Sequence, residues 1–182
     1  PVLSEDGRTV GAVFSTRSGK VGVINHWGHP APQSSESESK WAGSLTQALS
    51  IMTKMKEKCS LVLPLGDLNP QRRKDRLGVE GEETTGGKVG GADAAERLWR
   101  HTMSSGALVD PLNEMGYTGA WTRRQSPDRP RTRPDWTLVW ADFEKWRIRR
   151  AGIKLDTLQD GEGISYSDHR PVMVELEAMI GQ

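Results

Sequence analysis

Residues 167–172 read Ser167-Asp168-His169-Arg170-Pro171-Val172, between a loop containing Gly161 and Gly163 and the run Val172-Met173-Val174-Glu175-Leu176. The apolar alternation of that run predicts a strand. An acid and an imidazole side by side at the mouth of a strand are the parts of a proton-transfer or metal-assisted site. A Ser-Asp-His tripeptide alone carries little weight. It gains force from three further stretches: Asn25-His26-Trp27-Gly28-His29, Gly66-Asp67-Leu68-Asn69 and Arg133-Pro134-Asp135-Trp136.

Working outward, 182 residues suffice for one well-buried domain and are short for two. A hydrophobic content of 35% and a mean hydropathy of -0.62 describe a polar chain with large loops, above the disordered class. No apolar run approaches the ~20 residues that span a bilayer, so no membrane partner is expected. The first residues, Pro1-Val2-Leu3-Ser4-Glu5-Asp6, lack the regions of a signal peptide. The single cysteine, Cys59, excludes an intrachain disulfide and a Cys-rich zinc site. An intracellular location, the nucleus included, is the expectation. A net charge of +1 announces no polyanionic partner, but the arginines are unevenly placed. Arg72, Arg73, Lys74 and Arg76 follow the Gly-Asp-Leu-Asn stretch, and Arg123, Arg124, Arg129, Arg131 and Arg133 precede Asp135. Both clusters suit a phosphate-rich substrate, against the alternative of solvated loop charge.

Along the chain, Thr9 to Phe14 and Val21 to Asn25 read as strands joined by a turn at Arg17-Ser18-Gly19-Lys20. Pro30 to Glu38 is Pro/Ser/Glu-rich and reads as a mobile loop whose last residues cap a helix. That helix is expected from Lys40 to Lys58, with Trp41, Leu45, Leu49, Met52 and Met55 on one packed face. Ser60 to Leu65 reads as a buried strand with an irregularity at Pro64. Residues 71–91 are expected to form a mobile loop. A second helix is expected from Ala92 to Met103, then strands at Ala107 to Asp110, Tyr117 to Arg124, Asp135 to Ala141 and Trp146 to Ile153, the last with a basic outer face. Strands alternating with two helices predict an α/β sandwich with polar residues at strand ends.

Asp67 and Asn69 follow an apolar strand at i and i+2, so in extended chain they project to one side. A carboxylate beside a carboxamide can orient a water and hold a phosphate oxygen, although Gly-Asp and Asn-Pro also favour a turn. His26 is a candidate general acid or phosphate hydrogen-bonder, and His29 could serve instead. Asp135 is placed to accept a hydrogen bond from His169 and fix its tautomer, or else to pair with a neighbouring arginine. Two histidines and three carboxylates suit phosphodiester hydrolysis with Mg2+ or Mn2+ better than a zinc site.

In their order, the four stretches resemble the motifs of the endonuclease/exonuclease/phosphatase superfamily, the fold of pancreatic deoxyribonuclease. Gly66-Asp67-Leu68-Asn69 is similar to its Gly-Asp-Phe-Asn, Arg133-Pro134-Asp135-Trp136 to Arg-Ile-Asp-Tyr, and Ser167 to Val172 to Ser-Asp-His-x-Pro-Val. Asn25 to His29 is similar to its Asn-Thr-His loop. Gly91 to Trp140 looks most like retroelement endonucleases. The resemblance implies a four-layer α/β sandwich and a Mg2+- or Mn2+-dependent endonuclease acting on DNA or RNA. By it, His169 would be the base, Asp135 its orienter, Asp67 and Asn69 the positioners of nucleophile and phosphate, Asp168 a metal ligand, and His26 the group that protonates or stabilises the phosphate. Asn25, Arg123, Arg133 and Trp136 would contact substrate. Family members begin with a further strand-helix-strand unit carrying an Asn and the main metal-binding Glu, whereas this chain starts on Pro1 after that unit. The 182 residues are therefore expected to be the C-terminal two-thirds of a domain that an upstream segment or partner polypeptide completes. The competing expectation is an inactive relic serving as a nucleic-acid- or protein-binding scaffold.

Overall fold

The computed structural model describes residues 1–29, 35–68, 100–105, 107–117, 122, 135–154 and 169–179. The alternating stretches near the N-terminus form a hairpin, β2 (Thr9–Thr16) and β3 (Gly19–His26), closed by Arg17 and Ser18. A two-residue strand β1 (Val2–Leu3), unanticipated in the sequence, pairs antiparallel with β2. From β3 the chain crosses through helix α1 (Ser35–Lys56) to β4 (Leu61–Asp67), which lies parallel to β3. This is a βαβ unit, the connection parallel strands require.

Helix α1 begins at Ser35, five residues before the expected Lys40, and ends at Lys56 instead of Lys58. The Ser/Glu run expected as loop is thus its first turn from Ser35 on, where the Glu36 carboxylate complements the helix dipole. The inward face is Trp41, Leu45, Ala48, Ile51, Met52 and Met55, all buried, with Leu49 half-buried at its margin. The Trp41 indole nitrogen donates to the Leu68 carbonyl at 3.0 Å, which fixes the chain one residue beyond Asp67.

The segment expected as one strand from Asp135 to Ala141 is two, β5 (Asp135–Thr137) and β6 (Trp140–Ala141), both antiparallel to β4 in one register. The break faces Pro64. Leu138 donates its amide to the Pro64 carbonyl at 2.7 Å, and the return bond is the one a proline cannot make. Val139 instead exchanges two backbone hydrogen bonds with Val109. That bridge is all that forms of the strand expected at Ala107 to Asp110, because Ala107 takes a left-handed φ of 48° and Asp110 caps a short helix, Pro111–Glu114. Of the expected second helix, residues 100–105 are helical, and 92–99 lie outside the described residues. So do most of Tyr117 to Arg124 and all of the 71–91 loop.

The last strands, β7 (Trp146–Ile153) and β8 (Val172–Ala178), form a separate antiparallel pair. A bulge between Ile148 and Arg150 leaves Arg149 as an extra residue, so that Arg149 and Arg150 both address Glu175 while Arg147 pairs with Glu177. The basic outer face expected here is therefore charge-balanced by the strand beside it.

Two cores follow from the period-2 alternation of β3 and β4. One face packs Ile24, Val62 and Trp136 under α1. The other packs Val21, Leu61 and Leu63 against Trp146, Val174 and Leu176 of the β7–β8 pair. The described residues thus form a helix layer, a six-stranded mixed sheet and a second sheet, an α/β architecture as expected. None of the described helices is long and apolar enough to cross a membrane.

Candidate active site

The C-terminal end of β4 carries Asp67, and the antiparallel register places Asp135, the first residue of β5, directly opposite it. His169 sits three residues before β8 and donates to Asp135: its Nδ1 lies 2.8 Å from Asp135 Oδ2. A carboxylate can only accept, so Nδ1 bears the hydrogen and the imidazole's second nitrogen, Nε2, is its basic atom. One ligand atom from each of Asp67, Asp135 and His169 falls within 4.8 Å of the others. The His169 and Asp135 side chains are 29% and 23% exposed, open enough to meet a substrate and sheltered enough to be held in place.

This donor set fits a divalent cation. The two carboxylates suit hard, oxygen-preferring ions, which are commonly held by one or two carboxylates plus substrate oxygens, while the imidazole is engaged with Asp135. Cross-strand carboxylates otherwise repel one another, and a cation between them removes that cost.

Gly66 lets the site close. Its φ is +125°, a conformation only glycine adopts readily, and a Cβ there would collide with the His26 carbonyl and come within 2.9 Å of Asn25 Oδ1. The ends of β3 and β4 therefore approach closely, and Gly28 donates its amide to the Asp67 carbonyl at 2.6 Å.

With 94% of this chain aligned, the structure superposes on a Neisseria 3′ phosphatase, NExo, bound to product DNA hairpin, at a TM-score of 0.66 and 20% identity. The Xenopus laevis APE2 catalytic domain matches at 0.61 and 17% identity, and an AP endonuclease from Archaeoglobus fulgidus at 0.61 and 14%, each again over 94% of this chain. The chain shares the DNase I-like fold of these structures. No protein-family profile and no curated protein matches the sequence significantly. The chain spans 65%, 56% and 65% of those three structures respectively.

On this DNase I-like frame, the residues expected from sequence divide into four groups. Asp67, Asp135 and His169 are brought together. Asn69, Asp168, Arg123 and Arg133 lie outside the described residues. Two others are placed on the far face of the sheet. His26 is 2% exposed and points toward α1, with Nδ1 2.8 Å from Thr9 Oγ1. Burial, with Arg8 and His29 nearby and Asp6 opposing, lowers its pKa to about 4, so the ring is neutral at physiological pH. Trp136, expected to contact substrate, is 1% exposed and belongs to the core under α1, because its neighbour Asp135 takes the site-facing position of the strand. Asn25 is exposed, and alternation puts it on the same face as Asp67.

Three residues escape sequence reasoning. Thr122 is fully buried; its hydroxyl accepts from the Asp135 amide at 3.2 Å and its carbonyl from the Arg170 amide at 2.6 Å. It thereby ties together the two segments that carry the Asp135–His169 pair. The other two, Arg8 and Trp27, extend the site along the sheet. Trp27 follows His26 and so faces the Asp67 side, a placement legible from alternation once the buried face of β3 is known.

Proposed function

We propose that this chain forms the larger part of a divalent-cation-dependent phosphodiesterase that cleaves nucleic acid, DNA foremost. One observation carries the reading: the Asp135-oriented imidazole of His169 stands beside the Asp67 carboxylate at the end of the central strands. The similar structures support it, since those quoted include a DNA-bound 3′ phosphatase and an AP endonuclease. His169 takes the proton of a water at Nε2 as the water oxygen attacks phosphorus. The scissile P–O bond then breaks, and the leaving oxygen takes a proton from solvent. Asp135 holds the ring in the basic tautomer and stabilises the imidazolium that forms. Asp67 positions the water and phosphate, with Asn69 beside it in sequence. A cation held by Asp67, Asp135 and Asp168, Mg2+ or Mn2+, would neutralise charge developing on the phosphate oxygens.

The test is plasmid nicking with Mg2+, Mn2+ or EDTA, on this chain and on the longest natural chain containing it, each beside its His169→Ala form. The expected result is metal-dependent nicking that falls at least ~100-fold in the variant. Equal nicking with and without His169 would overturn the mechanism. Absence of nicking by both folded proteins would favour the scaffold reading.

A further inference from the structure

At the end of the large sheet where β3 and β4 finish, one residue from each of four neighbouring strands or strand ends lines up in a single row. Arg8 precedes β2, and its carbonyl accepts the Trp27 amide at 2.9 Å. Trp27 follows β3 beside Asp67, in the register that the Gly28-to-Asp67 hydrogen bond extends. Asp67 faces Asp135, and Asp135 holds His169. Paired residues of adjacent strands share a face, so the row presents a guanidinium, an indole and two carboxylates on one side of the sheet, with the His169 imidazole bound to the last of them. Neighbouring strands lie ~5 Å apart, which puts the Trp27 backbone ~5 Å from that of Asp67 and ~10 Å from that of Asp135.

Trp27 is 64% exposed, whereas Trp41, Trp136 and Trp146 are buried in the cores. An indole this open is also held in place. The Arg8 guanidinium lies over the ring at 4.9 Å from its centroid, and Arg8 Nη1 donates to the Trp27 carbonyl at 3.3 Å. An aromatic face braced on one side by a cation can stack a planar group on the other, and a nucleobase is the planar group that accompanies a phosphodiester. The one-strand offset between Trp27 and Asp67 is comparable to the span from a nucleotide's base to its phosphate.

We propose that Trp27, braced by Arg8, is the stacking platform for an unpaired nucleobase adjoining the scissile phosphate, and that the preferred substrate is consequently single-stranded or frayed nucleic acid. Stacking on Trp27 requires a base free of its own helical neighbours, which a closed duplex does not offer. The inference rests on the nucleic-acid reading above, but binding tests it separately from cleavage.

The experiment measures fluorescence anisotropy of labelled oligo(dT), of an abasic oligomer of equal length and charge, and of a blunt duplex, all in EDTA. The proteins are the chain as it stands, Trp27→Ala, Trp27→Phe and Arg8→Ala, each checked for folding by circular dichroism. The unaltered chain should bind oligo(dT) more tightly than the abasic oligomer or the duplex. Trp27→Ala should lose about 10- to 100-fold in oligo(dT) affinity and cease to distinguish it from the abasic oligomer, while Trp27→Phe retains most of the preference. Arg8→Ala, which removes the brace, should weaken oligo(dT) binding more than abasic binding and lower the dependence on salt. A chain that binds the abasic oligomer as well as oligo(dT), or a Trp27→Ala protein that keeps the full preference, would overturn the proposal. Loss of the preference in Trp27→Ala together with an absence of metal-dependent nicking would leave the platform standing and remove the hydrolytic reading.

Discussion

Asp67 and Asp135 are direct cross-strand partners, two carboxylates set face to face by the antiparallel pairing of β4 and β5. Like charges opposite one another destabilise a sheet by ~0.2–1 kcal/mol, so this pair weakens the fold in the absence of a cation. Its presence beside His169 fits a functional use better than a structural one.

Asp67→Asn should therefore leave thermal stability unchanged or slightly raised, while nicking falls at least ~100-fold. Mg2+ or Mn2+ should raise the melting temperature of the unaltered chain, and EDTA should reverse the rise. At a hundredfold excess over the dissociation constant, a folded-state ligand adds ~2.7 kcal/mol. A metal-induced shift of the same size in Asp67→Asn would mean that the cation binds elsewhere.

Thr122 links the two halves of the dyad without offering a group to the substrate. Replacing it with Val keeps the shape, but leaves the Asp135 amide without the hydroxyl that accepts from it. A lost partner of this kind costs ~1–3 kcal/mol. Thr122→Val should lower stability by that order and reduce kcat more than KM, and Thr122→Ser should restore both. Equal kcat in Thr122→Val and the unaltered protein would mean that β5 and the His169 segment hold their positions without it.

The strands and the three clustered site residues are legible in the sequence because each rests on a local pattern. Strand-forming runs mark β2 and β3, a continuous apolar run marks β4 and alternation marks β7 and β8, while Asp67, Asp135 and His169 stand at or near the ends of expected strands. The face on which a strand-end residue points is another matter. His26 and Trp27 are adjacent, and only the position of α1 decides that the histidine is buried and the tryptophan exposed. Thr122 is invisible for a related reason: its two partners are 13 and 48 residues away, and no local pattern encodes contacts of that separation. The break between β5 and β6 is likewise caused by Pro64 on a different strand.

Gly66 offers a backbone test. Any side chain there must adopt a φ of +125° and displace the His26 carbonyl, and both β3 and β4 are pinned at that point. Gly66→Ala should destabilise the chain by at least ~1–3 kcal/mol, the usual cost of a strained backbone position. Because Asp67 is the next residue, cleavage by whatever protein remains folded should fall as well. Retained stability, measured by chemical denaturation, would show that β3 and β4 can separate locally without loss.

His26 provides the pH test. Its folded pKa of about 4 lies below the ordinary 6.5, so as pH falls the unfolded chain takes up the proton first. The contribution to stability is fully present above pH 6.5 and is lost as pH falls toward 4, by about 2 kcal/mol between pH 7 and pH 5. His26→Gln removes the titrating group and keeps a side chain able to bond Thr9. Its stability at pH 7 should differ only modestly, and its decline from pH 7 to pH 5 should be shallower by that 2 kcal/mol. Cleavage at neutral pH should stay within a few-fold of the unaltered protein, because the ring faces α1 and not the Asp67–Asp135–His169 cluster. Identical stability profiles would show that His26 is not held neutral. A large drop in kcat at unchanged stability would place it in the chemistry after all.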